Sequence, residues 1–186
     1  MIRIVLMILT LGGACLACSD DEGTTAEPED QAEGEWLKYW SGSQPVRLSL
    51  GVDYYAVRFT KPAGWAGVHI DSVEIVATSS GQISLSFWPN TVLESGTHWP
   101  SGSATQATPV NVVYGGNAWD VTSHDWTTTS AEFFVGFQQG DVITLASDGK
   151  AEPEVRSYRI YEGQDWELEM AIASNYCIGI FVTPTS

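Results

Sequence analysis

Three histidines (His69, His98 and His124) and 23 acidic residues are the groups in this 186-residue chain that could carry acid–base or metal chemistry. The histidines are scattered. None lies in a His-Glu-x-x-His pattern and no two have metal-ligand spacing, so no metal site is expected. His124 adjoins Asp125 in "SHDW", but neighbours on a strand point to opposite faces and make a poor dyad. A Gly-x-Ser-x-Gly elbow does not occur, and the Ser-Gly-Ser runs at 41–43 and 101–103 read as loops. Glu167 and Glu169 alternate with Trp166, Leu168 and Met170, which describes a solvated strand face rather than a glycosidase pair. Cys177 sits in an apolar run and reads as a buried, inert thiol. No catalytic residue and no cofactor are expected.

The aromatic residues are the stronger lead. The chain holds 8 Trp, 7 Tyr and 6 Phe. Trp65 ("PAGWAG"), Trp99 ("THWPSG") and Trp126 ("SHDWTTT") lie in turn-like surroundings, with His98, His124, Asn, Asp and Thr nearby. Two readings stay open. Exposed rings among polar side chains form a platform on which a pyranose face stacks, with Trp65, His98, Trp99, His124 and Trp126 as contacts. Alternatively, the loop tryptophans fold back and cap the ends of a core. Trp166 falls on an inward-facing strand position.

The opening of the chain says where the protein goes. Arg3 is followed by the apolar run Ile4 to Leu11 and then by small residues. The run is too short to cross a bilayer, which needs about 20 residues. A charged start, a short apolar centre and small residues describe a secretory signal peptide. Cys15 and Cys18 end that run instead of opening a helix, which argues against a redox pair. "CLAC" followed by Ser19 resembles the lipobox of bacterial lipoproteins. The resemblance implies cleavage after Ala17, acylation of Cys18 (Cys15 is the alternative) and anchoring in the membrane through acyl chains. Ser19, in place of an Asp, implies an outer-membrane or cell-surface destination.

Residues 19 to 35 hold eight carboxylates and no cation. Without large apolar side chains such a segment cannot offset the entropy of ordering, and like charges extend it. It reads as a spacer rather than a calcium loop, whose ligands need fixed spacings. The formal net charge of −15 repels phosphate backbones and offers no basic patch, so no nucleic-acid partner is expected.

From Trp36 the texture changes to short alternating runs separated by Gly, Pro, Ser, Asn and Asp. Tyr54 to Thr60, Ser72 to Thr78, Gln82 to Trp88, Thr108 to Tyr114, Ala118 to Ser123 and Glu132 to Gln138 read as strands, and four more follow. "SSG" after Thr78 predicts a hairpin, and Pro89 to Ala107 reads as a long loop. The pattern predicts an all-β fold, a two-sheet antiparallel β-sandwich of jelly-roll-like form. The succession "WLKYW", "YAVRF", "AWDVT", "FFVGF", "LASDG" and "SYRIYEGQDWE" is similar to accessory β-sandwich domains of exported bacterial proteins, often attached to peptidases. That likeness implies architectural roles for the paired aromatics and for the Asp of "SDG". The expected layout is a signal peptide at 1–17, a lipidated tether at 18–35 and a β-sandwich at 36–186. The expected function is a non-catalytic binding module for a glycan or another envelope protein. An accessory envelope protein acting through protein contacts comes second, and a hydrolase third.

Overall fold

Side chains that alternate between apolar and polar every second residue bury one face of a strand, and two such faces bury each other. The computed structural model describes residues 33–40, 46–49, 53–141, 143–147, 154–160, 165–168 and 175–185. The readings for Cys15, Cys18, Asp148 and Glu169 fall outside the described residues. The strands are β1 (Glu35–Lys38), β2 (Val46–Ser49), β3 (Tyr54–Thr60), β4 (Gly67–Ala77), β5 (Gly81–Val92), β6 (His98–Pro100), β7 (Thr105–Val112), β8 (Gly115–Asp120), β9 (Thr127–Thr128), β10 (Glu132–Gln139), β11 (Thr144–Ser147), β12 (Ser157–Ile160), β13 (Glu167–Leu168) and β14 (Ile178–Thr185).

They form the expected two-sheet antiparallel sandwich. The first sheet runs β1-β14-β4-β11-β2, with β8 and β9 also paired to β4. The second runs β13-β12-β3-β10-β5-β6, with β7 paired to β5. The core lies between them. Tyr55, Val57 and Phe59 of β3, Ile83 and Leu85 of β5, and Phe133, Val135 and Phe137 of β10 point inward and are buried. They meet Val68, Ile70, Val73 and Ile75 of β4 and Ile178, Ile180 and Val182 of β14. Each such side chain contributes about 1.5–3 kcal/mol through the area it removes from water.

Three local expectations are corrected. "SSG" does not make a hairpin: β4 and β5 belong to different sheets, so Thr78–Gly81 carries the chain from one layer to the other. Turn residues mark a reversal without specifying whether the next strand pairs or crosses. The expected loop from Pro89 to Ala107 is largely strand: β5 continues to Val92, returns as β6 with Thr91 opposite Trp99, and β7 begins at Thr105. Its tip is closed by Leu93, whose backbone accepts from Gly96 and donates to Thr97. Finally, β8 ends at Asp120, and a 3-10 turn at Thr122–His124 follows. The Asp120 carboxylate accepts from Thr122 Oγ1 (2.6 Å) and Thr122 N (2.9 Å), and these bonds hold its pKa below the usual carboxylate range.

Candidate functional site

The second sheet is apolar on both faces. Aromatic doublets supply one ring to each side: Tyr54-Tyr55 on β3, Phe87-Trp88 on β5 and Phe133-Phe134 on β10. Tyr55, Phe87 and Phe133 join the core, while Trp88 and Phe134 cluster on the outer face with Ala56 and Tyr158, and Tyr54 packs against them.

The middle of that outer face is kept low by a cross-strand row of small residues. Ala56, Gly136 and Ser86 are directly opposite one another on β3, β10 and β5. A Cβ on Gly136 would lie 1.8 Å from the Tyr55 carbonyl oxygen, so no side chain fits there. Two arms reach over this floor from opposite edges. The β5–β6 hairpin folds back and places Trp99 edge-on to Tyr158 of β12, with centroids 5.5 Å apart. Tyr158 in turn stands edge-on to Phe134 at 5.1 Å. From the other edge, Trp166, just before β13, packs edge-on to Trp88 of β5 at 5.3 Å and lies 6.2 Å from Tyr54. Trp166 therefore belongs to the outer face, not to the inward position expected from its alternation.

Two hollows, both bordered by Trp166, form the lobes of the candidate cleft. One, of about 370 Å³, is bounded by Tyr54, Trp88, Ser103, Gln106 and Ile160. The other, also about 370 Å³, is bounded by Thr91, Leu93, Trp99, Pro100 and Asp165. Gln106 Nε2 donates to Gln138 Oε1 (2.6 Å), fixing an amide at the rim. The Trp99 indole N–H is buried and has no acceptor among the described residues. A wider hollow of about 530 Å³ is lined by Thr127, Thr128, Thr129 and Thr185, with no ring or charge among its described lining. It offers a ligand little beyond methyls and hydroxyls, and the aromatic cleft is the better candidate site.

The lower end of the outer face is closed by an ion cluster. Arg58 and Arg156, each 9 % exposed, share Glu154 through Nη2 at 2.6 and 2.8 Å. Glu132 lies 3.6 Å from Arg58 Nε and 3.8 Å from Arg156 Nη1. The Arg156 guanidinium stacks 4.3 Å from the Tyr39 ring centroid, and its Nη1 donates to Thr60 Oγ1 (2.8 Å). Two cations are thus balanced by two carboxylates. Burial beside this cluster pushes the Tyr158 hydroxyl above its ordinary pKa; Arg58 opposes that rise.

Of the residues read as ligand contacts, the structure brings only Trp99 to the cleft. His98 Nδ1 lies 3.2 Å from Asn90 Oδ1 and fastens the hairpin that carries Trp99. Trp65 is half-buried against the core. Trp126 is 1 % exposed and stacks on Phe87 at 6.1 Å, so the exposed-platform reading is corrected for it. A turn-rich sequence around Trp126 concealed the burial of its ring under the end of the sandwich. His124 lies 5.8 Å from that ring and away from the cleft lining. The sequence reading missed Tyr54, Trp88, Asp165 and Trp166. The doublets Tyr54-Tyr55 and Phe87-Trp88 were the available signal, because a sheet with one solvated face has no use for a ring on each side. Among the described residues, no group of three His, Cys, Asp or Glu could hold a metal ion.

No family model and no curated protein matches the chain. Its fold is similar to two solved structures. One is a clostridial cysteine protease, Cwp84, after propeptide cleavage: TM-score 0.62, 13 % identity, 86 % of this chain and 42 % of that one covered. The other holds the cysteine protease and lectin-like domains of Cwp84, a surface layer associated protein of Clostridium difficile: TM-score 0.55, 13 % identity, 75 % and 34 % covered. The chain spans less than half the length of either. The likeness is one of fold.

Proposed function

We propose that this chain is an exported, non-catalytic glycan-binding module, tethered to the cell envelope by acyl chains on Cys18, and that the sugar sits in the outer cleft of the second sheet. One observation carries the reading: the half-buried rings of Trp99 and Trp166 border one hollow together with Thr91 and Asp165, and Trp166 borders a second with Ser103 and Gln106. Flat apolar walls with a few polar groups suit a pyranose, whose axial hydrogens seek a ring and whose hydroxyls seek hydrogen bonds. The lectin-like description of the fold neighbour supports it. The lipid anchor and surface destination rest on the lipobox-like "CLACS".

A second reading, an envelope accessory protein that binds other proteins, draws on Val113 and Tyr114, which are 58 % and 68 % exposed between β7 and β8. One titration separates the two. Neutral polysaccharides added to the purified protein should change tryptophan fluorescence saturably. Trp166→Ala should weaken the response about tenfold, equivalent to about 1.4 kcal/mol of lost stacking. Trp36→Ala, on the first sheet, should leave it unchanged. Equal losses in both variants would count against the cleft.

A further inference from the structure

We infer that the occupant of the cleft is an uncharged, extended glycan chain that passes through both lobes, with a sugar ring on each side of Trp166. This rests on the sugar-binding reading above and narrows it to a ligand class. The first ground is shape. Trp166 borders both lobes, and each falls in the range of about 300–1,000 Å³ typical of ligand clefts. A single ring fills one lobe and leaves the other to water. A chain fills both and meets Trp166 in each.

The second ground is charge. Among the described residues lining the two lobes, Asp165 is the one carboxylate, and none is Lys or Arg. The two arginines that reach the outer face are closed on Glu132 and Glu154, so their charge is already balanced. A uronate, sulfate or phosphate group brought into the cleft would lose hydration, gain no cation and meet the Asp165 carboxylate. The net charge of −15 repels a polyanion before contact as well. Neutral hydroxyls, by contrast, find Thr91, Ser103 and Gln106 at the walls.

Calorimetric titration of the purified full chain with two oligosaccharide ladders tests this. One is neutral (gluco-, manno- and N-acetylglucosamine series) and the other uronic, each from one to six sugars. Affinity for at least one neutral series should rise tenfold or more between one and four sugars. The uronic ladder should bind at least tenfold more weakly, and Asp165→Asn should shrink that gap severalfold. Uronic chains binding as tightly as neutral ones, or a monosaccharide binding as tightly as a tetrasaccharide, would overturn the inference and leave the sugar-binding reading standing. Silence from every ladder, with an unchanged thermal melt, would overturn both.

Discussion

On its inner face the second sheet presents Tyr55, Val57, Phe59, Phe133 and Val135, each 1 % exposed or less beneath the first sheet. On its outer face the sheet presents Tyr54, Trp88 and Phe134, covered among the described residues by the β5–β6 hairpin, Tyr158 and the short segment at Trp166. An entire sheet covers the first set continuously. Two narrow arms cover the second set and leave Tyr54, Trp99 and Trp166 half-buried. The inner face gives the fold its stability. The outer face uses the same kinds of residue, and Trp88, Phe134 and Tyr158 are as buried as the core rings, but Tyr54, Trp99 and Trp166 keep an accessible side.

The comparison breaks hardest at Phe133. Phe133→Ala empties a site between the sheets and should cost about 4 kcal/mol in urea unfolding. A loss below about 1 kcal/mol would mean that the inner face is not the main source of stability. Gly136→Ala probes the floor of the outer face. Its methyl meets the Tyr55 backbone, so β3 and β10 must separate, at a cost of about 3 kcal/mol by thermal or chemical unfolding. An unchanged stability would show that β3 and β10 yield easily at this close approach.

The smallest effect is on pH. The folded pKa of Tyr158 lies above its ordinary value of 10.0, chiefly through burial, so the folded state holds that proton more tightly than the unfolded chain does. Its contribution is therefore full below about pH 10 and is lost as pH rises from there through the folded pKa. Tyr158→Phe should show a shallower alkaline decline than the parent protein. Identical slopes would assign the decline to other groups.

The sheets were legible in the sequence because period-two alternation is a local signal. β3, β10 and the inward residues of β5 fall where "YYAVRFT", "EFFVGFQ" and "QISLSFW" place them. The pairing partner of each strand was not legible, since a reversal such as Thr78–Gly81 reads alike whether it closes a hairpin or crosses between sheets. The candidate site was legible in one residue, Trp99, which lies in a turn-rich run. Trp65 and Trp126 lie in similar runs, yet they cap the core. Composition around a loop tryptophan reports the backbone, whereas burial of the ring depends on what the tertiary fold brings above it. Trp166 shows the converse: its alternation with Glu167 and Leu168 gave its side of β13 but not which layer of the sandwich that side meets.

The chain enters the described sandwich through β1, four residues paired with β14 from Glu35–Val182 to Lys38–Gly179. The cleft opens on the other sheet. A pull on the chain ahead of Glu35, resisted by a ligand held in the cleft, must therefore travel through that short ladder before it reaches the core. Trp36 against Phe181 and the Lys38–Glu74 ion pair reinforce it. As a four-residue edge strand, β1 is the part of the described sandwich that force applied from that end would reach first.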